Sequence, residues 1–208
     1  MMLARAALLA LVVAGAEGCT VGDGSGDVRS ERLYLKGCWN GPFDLKPDFF
    51  AANPYREEVL MIRVQRGDNN EEASDGVGIV VNDLAAVRAK LGQPIPVGLP
   101  AGVAPPGQPV KGLPNPLVTL SLYLHQTCHE QNSATYSVSG DITFTHVFSG
   151  NLNEEDSDAR LTEATFDVKF ADPRELVDAP DAAAVTSENV SGNFRFFFQR
   201  GQPAQPFQ

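Results

Sequence analysis

The sequence predicts a mainly β protein: an antiparallel β-sandwich of about seven strands with one short helix and a long Pro/Gly-rich loop, a small barrel being the alternative. Three observations carry this. Short stretches of period-2 apolar alternation recur along the chain, as expected of strands with one covered face. A helical period appears convincingly only over Leu84 to Leu91. Strands that follow one another through short or polar loops favour antiparallel neighbours.

Taken in order, Thr20 to Ser30 is mostly Gly, Asp, Ser and other small residues, which predicts a flexible tether over residues 19–30 ahead of a domain at 31–208. Arg32 to Trp39 alternates Leu33, Leu35, Gly37 and Trp39 against Tyr34, Lys36 and Cys38, and is expected to be the first strand. A turn-rich piece with Pro42, Pro47 and Pro54 leads to a strand at Glu58 to Gln65, apolar from Val59 to Ile62, and a third follows at Gly76 to Val81. The helix comes next, with Asn82 or Asp83 as its cap and Gly92 as its end.

From Gly92 to Pro116, Pro and Gly supply 13 of 25 residues, which predicts neither helix nor central strand. Such a segment either wraps the surface or divides the chain into two lobes. Strands resume at Leu117 to Gln126, Ala134 to Phe148, Phe166 to Phe170 and Val190 to Gln199. An immunoglobulin domain proper is not supported, because Trp39 directly follows Cys38 instead of lying well inside the interval between two bridged cysteines.

The start of the chain bears on location. Met1 to Arg5 is cationic, Ala6 to Gly15 is apolar and too short to span a bilayer, and Ala16-Glu17-Gly18-Cys19 ends the run. This resembles a bacterial lipoprotein signal, residues 1–18, and the resemblance implies cleavage before Cys19 and acylation of its thiol. Ala16 and Glu17 stand where the pattern has Leu and a small residue, and an ordinary secretory signal is the alternative. Thr20, where inner-membrane retention in enteric bacteria uses Asp, points by the same resemblance to the outer membrane. With Cys19 given to lipid, Cys38 and Cys128 remain as an even pair in an oxidising compartment, and a disulfide closing about 90 residues, worth on the order of 4 kcal/mol, is the natural expectation. Two buried reduced thiols are the alternative.

The phrases Gly37-Cys38-Trp39 and Pro47-Asp48-Phe49-Phe50, the Pro-rich middle, and the ending Phe197-Phe198-Gln199-Arg200-Gly201-Gln202-Pro203-Ala204-Gln205-Pro206-Phe207 resemble exported lipoproteins of unknown function from myxobacterial-type Gram-negative bacteria. No catalytic motif comes with that resemblance.

Composition narrows the partners. Removing residues 1–18 takes away one cation, Arg5, and one anion, Glu17, so the net charge of -10 persists in the remainder. Nucleic acid is not an expected partner, since phosphate neutralisation needs a Lys/Arg surplus. Docking on anionic lipid through protein charge is disfavoured for the same reason. Membrane attachment is therefore expected through acyl chains, and two of them would hold the protein effectively permanently.

The motif His125-x-x-Cys128-His129 invites zinc or damaged haem-attachment readings. One haem thiol is missing. In an extended segment His125 and His129 share a face about 13 Å apart, with Cys128 on the other, while a hairpin turning at residues 130–133 would place His146 opposite Leu117, far from both. No metal and no cofactor is expected.

Asp68-Asn69-Asn70-Glu71-Glu72 with Asp75, and residues 151–158 with Glu154, Glu155, Asp156 and Asp158, gather oxygen donors without matching a calcium loop, and read as solvated hairpin loops. Arg66-Gly67-Asp68 is assigned no function. Asp141, Asp167 and Glu163 could pair as acid and base, but no nucleophile elbow, metalloprotease helix or phosphate loop accompanies them, and an enzyme is not expected.

Phe194, Phe196 and Phe198 share a strand face and read as core, leaving Phe197, with Phe207, as a candidate partner patch. The expected function is a non-catalytic lipoprotein of the cell envelope, a structural or binding component of the outer membrane or surface. The alternative is a soluble exported ligand-binding or hydrolytic protein with its pocket between sheet and Pro-rich loop.

Overall fold

Ten strands form one antiparallel sheet in the computed structural model, which describes residues 24–67, 71–100, 116–129, 134–172 and 188–199. They are β1 (Gly24–Leu35), β2 (Trp39–Leu45), β3 (Phe49–Tyr55), β4 (Val59–Arg66), β5 (Asp75–Val81), β6 (Ile95–Pro96), β7 (Val118–Leu124), β8 (Thr135–His146), β9 (Leu161–Ala171) and β10 (Val190–Phe197). Helices are short, α1 at Leu84–Arg88 and α2 at Ser157–Arg160. The sheet runs β2-β1-β10-β9-β8-β7-β5-β4-β3, with β6 joined to β8.

The mainly β, antiparallel expectation holds, while the two-layer sandwich and the count of seven do not. Hydrogen bonding is continuous from β2 to β3, so no second sheet begins anywhere along the path. One sheet curls into a half-barrel and covers its own apolar face. Phe50 of β3 stacks on Phe196 of β10 at 5.8 Å, bringing one edge strand across the interior onto the third strand from the other edge. That interior is a single cluster running from Val28 and Leu33 through Ile62, Val77, Leu120, Ile142 and Phe144 to Val168, Phe194 and Phe196.

Several local expectations are corrected. Residues 24–30, read as tether, are the first part of β1, paired with β10 on one side and from Val28 onward with β2 on the other. Their smallness serves packing: a Cβ on Gly24 would stand 2.6 Å from Cδ2 of Phe50 and 2.8 Å from Cβ of Phe196. Residues 19–23, with Cys19 among them, and the leader lie outside the described residues. The strand expected at 32–39 breaks after Leu35, where a turn closed by Cys38 N–H donating to the Leu35 carbonyl puts Gly37 at φ 79°. Trp39 then opens β2.

β2 and β3 occupy the piece read as turn-rich. They are the two edges of the sheet, where Pro42 and Pro54 forfeit no ladder bond that an inner strand would need. Helix α1 stops at Arg88, short of Leu91, while Asp83 caps it as expected, accepting from Ala86 N–H at 2.8 Å.

The Pro/Gly-rich segment does not divide the molecule, because β5 before it and β7 after it pair over seven positions. It also contributes a strand. β7 and β8 pair only at Ser121–Tyr136 and Leu122–Thr135, and then β6 takes over the edge of β8, with Ile95 opposite Ile142. Val97 bridges Val118 of β7. The buried Ser137 hydroxyl joins all three pieces, accepting from Leu120 N–H at 3.0 Å and donating to the Gly98 carbonyl at 3.1 Å. The hairpin register expected for His146 is thereby lost: it faces Glu163 of β9, not Leu117.

Candidate functional site

The outer face of β5 and β7 carries a cleft. It measures about 640 Å³ and is walled by Val80, Leu117, Leu120 and Tyr136, with Pro100 and Pro116, the residues that flank 101–115, also in its lining. Thr119, Ser121, Asn82 and Asp83 supply its polar lining. Three of these are already engaged: Asn82 Nδ2 donates to the Pro116 carbonyl at 2.9 Å, Ser121 Oγ donates to the Gly78 carbonyl, and Asp83 caps α1. The lining thus presents apolar wall with few uncommitted polar groups, the composition of a site that recognises by shape and desolvation.

Below the cleft the same outer face is buried and polar. Gly76 and Gly78 leave room on β5; a Cβ at Gly76 would meet Tyr123 Oη at 2.7 Å and Gln65 Cβ at 2.5 Å. Tyr123 fills that room and donates to Gln65 Oε1 at 2.8 Å, while Gln65 Nε2 donates to Ser74 Oγ at 3.2 Å. Burial raises the Tyr123 phenol above its ordinary range, the negative charges of Glu71 and Asp75 raise it further, and Arg63 opposes them. The hydroxyl therefore stays protonated and serves as a donor.

Asp75, fully buried, organises the segment that follows β7. Its Oδ1 accepts from Gln126 N–H and Thr127 N–H, each at 3.0 Å, and its Oδ2 accepts from Thr127 Oγ1 at 2.6 Å and Arg66 Nη2 at 3.0 Å. Residues 125–127 consequently turn instead of extending, and Cys128 N–H returns to the Leu124 carbonyl. This corrects the extended geometry assumed for His125, Cys128 and His129.

The turn does not gather those three residues. His125 Nδ1 lies 3.0 Å from the Glu71 carbonyl, Cys128 faces Cys38 at disulfide distance with Cα atoms 5.7 Å apart, and His129 is exposed. Among the described residues no three His, Cys, Asp or Glu side chains are grouped as metal ligands.

Other candidates fall as follows. Asp141 and Asp167 stand opposite one another in the β8–β9 register, whereas Glu163 sits apart with His146 Nδ1 at 3.3 Å and Arg195 Nε at 3.8 Å. In the 151–158 loop Glu154 accepts from Ser149 Oγ at 2.8 Å and from the amides of Glu155 and Asp156. The Ser149 bond, with those amides, lowers the Glu154 carboxyl below its ordinary range. Of the other acidic segment, Asp68–Asn70 lie outside the described residues, and Asp75 belongs to β5 rather than to a loop.

Phe194, Phe196 and Phe198 are buried as expected, Phe198 stacking on Phe148 at 4.1 Å. Phe197 is half-buried under the Arg195 guanidinium, 5.1 Å from its ring, and Phe207 lies outside the described residues.

Gln65, Tyr123 and Ser137 carry no candidate role in the sequence, and Asp75 stands there only as an oxygen donor of an acidic loop. Their one signal is a polar group alternating with apolar neighbours inside a strand, which equally describes a solvated face. Compared with family models, with curated proteins and with solved structures, the chain matches none.

Proposed function

We propose that this protein is a non-catalytic component of the cell envelope, held at the outer membrane by acyl chains on Cys19, whose folded domain binds a partner through the cleft on β5 and β7. The observation that carries the binding role is the cleft itself: an apolar-walled recess outside a sheet whose inner face is a closed core. Its carboxylate, Asp83, is spent on capping a helix, and Asn82 and Ser121 are spent on carbonyls. That arrangement supports binding over proton-transfer chemistry. It also favours binding over a hydrolytic protein, for which uncommitted polar groups converging in the pocket would be the support.

Two measurements test the proposal. Mass analysis of the native N-terminal peptide is expected to find an acylated Cys19, and a free thiol there, or cleavage elsewhere, removes the anchor. For the cleft, protein carrying Val80→Arg, a substitution on a half-buried outward position, is compared with wild type for capture from detergent-solubilised envelopes. The expected result is a component retained by wild type and lost by the variant at unchanged melting temperature. Identical captures would remove the cleft from the function.

A further inference from the structure

We infer that one end of the half-barrel rests on the surface of a bilayer rich in zwitterionic lipid: the end formed by the β3–β4 turn, the close of α1 and the 149–156 loop. The inference rests on the Cys19 anchor proposed above.

The first observation is the length of the leash. β1 begins at Gly24 and is fixed there by pairing with Phe196 of β10. Five residue steps separate Gly24 from Cys19, and a chain spans at most about 18 Å in that many steps. A domain whose first strand starts this close to the acylated residue cannot stand clear of the headgroups, contrary to what a twelve-residue tether would have allowed. Strand connectivity identifies which end is held. Gly24 starts β1 beside the end of β10, whose next residue, Phe198, is bonded to Arg160 of α2 in both directions. At this same end β9 starts, β8 stops, β5 stops and leads into α1, and β3 stops at Tyr55. The Cys38–Cys128 pair and Asp75 belong to the opposite end.

The second observation is independent of the leash. Among the described residues, the exposed large apolar side chains are Tyr55, Leu91 and Leu152, at 54%, 40% and 49% exposure, and all three lie at this end. Tyr55 is the last residue of β3, and Leu91 follows α1 just before Gly92 bonds the Phe144 carbonyl near the end of β8. Leu152 belongs to the loop whose Gly150 packs near Leu84 of α1 and Pro54 of β3. Single exposed apolar residues scattered over a surface need no explanation. Confinement to the end that carries the leash does.

Their company suits an interface. The Arg56 guanidinium lies 5.2 Å from the Tyr55 ring, and Arg88 and Lys90 flank Leu91. Tyrosine and long cationic side chains place an apolar body toward hydrocarbon and a polar head toward water. Glu57, Glu58, Asp83, Glu154, Glu155, Asp156 and Asp158 share this end, so it is matched to zwitterionic headgroups and repelled by anionic ones.

The test uses the full, exported chain, purified from a Gram-negative host and bound to phosphatidylcholine vesicles brominated in the upper acyl chain. Trp39 is the sole tryptophan and lies at the opposite end, beside Cys38. In a Trp39→Phe background, the indole introduced by Leu152→Trp, or in a second variant by Tyr55→Trp, is expected to lose most of its emission to bromine, whereas Trp39 of wild type keeps its own. Replacing part of the phosphatidylcholine by phosphatidylglycerol should weaken the quenching. The N-terminal peptide of each sample is weighed in parallel. An acylated Cys19 with both introduced indoles unquenched, or with Trp39 quenched in their place, overturns the orientation and spares the anchor; an unacylated Cys19 overturns both.

Discussion

Asp75 shows how one residue can decide a loop from far away in sequence. Two of its bonds go to the amides of Gln126 and Thr127, 51 and 52 positions away, and these turn a segment that alternation alone extends. Nothing local to His125-x-x-Cys128-His129 reveals this, because the partner sits on β5 and the strands meet only after folding. Its four donors rank the substitutions. Asp75→Ala leaves Gln126 N–H, Thr127 N–H and Thr127 Oγ1 without their acceptor in a buried place, and is expected to cost about 3 kcal/mol. Asp75→Asn retains one accepting oxygen and should cost about half as much. Arg66→Ala removes a partner that is itself 45% exposed, and its loss should stay below about 1 kcal/mol. Urea denaturation of the three variants checks the order. Equal losses for Asp75→Ala and Arg66→Ala would mean that the ion pair, not the amide bonds, holds the turn.

At the scale of elements, what the sequence made legible follows covering. β5, β7 and β10 are inner strands, and their apolar alternation appears close to its true bounds. β2 and β3 are edges that carry Pro42 and Pro54, so proline, which argues against an inner strand, concealed them. The start of β1 was hidden by the requirement that makes it small, since the Phe50 ring of β3 and the Phe196 Cβ of β10 press on Gly24. β6 was hidden because two residues among prolines give no period at all.

In the sequence a pocket between sheet and Pro-rich loop belongs only to the alternative, ligand-binding or hydrolytic reading, and no residue of the cleft is legible there as its lining. The cleft's lining combines Val80, Thr119 and Ser121, on outward positions of β5 and β7, with residues from other parts of the chain, Asn82, Asp83, Pro100, Pro116 and Tyr136 among them, which only the fold brings together. β6 also carries a prediction, since it and the residues after it are joined to β7 and β8 through the Ser137 hydroxyl. Ser137→Ala strands the Leu120 N–H and the Gly98 carbonyl in the interior, at an expected cost of about 2 kcal/mol. Amide exchange at Leu120 should accelerate with it, while a spectator amide such as that of Ile62 on β4 follows only the global change. Unchanged protection at Leu120 would show that another group takes up the bond.

For the whole molecule, the question is what fixes the curl of a single sheet whose edges β2 and β3 are not joined by ladder hydrogen bonds among the described residues. Apolar burial is one answer, with Phe50 on Phe196 bringing β3 over β10. The cysteine pair is another. Cys38 sits in the turn between β1 and β2, Cys128 follows β7, and the path between them along the sheet crosses β10, β9 and β8. A link at a Cα separation of 5.7 Å between points that far apart in strand order is a chord across the curl. It also closes a sequence separation of 90, for which the chain-entropy account gives about 4 kcal/mol.

A chord constrains how far the sheet can open and leaves each strand pair as it was. The double variant Cys38→Ser with Cys128→Ser is therefore expected to keep the far-ultraviolet dichroism of wild type while losing about 4 kcal/mol of stability in urea. Trp39, adjacent to the link, packed against the core and edge-on to Phe43 at 6.2 Å, should shift its emission toward that of a wetter indole. Wild type in reductant should match the double variant in both respects. If reduction leaves the urea midpoint and the Trp39 emission where they were, apolar burial alone sets the curl, and the cysteine pair contributes nothing to it.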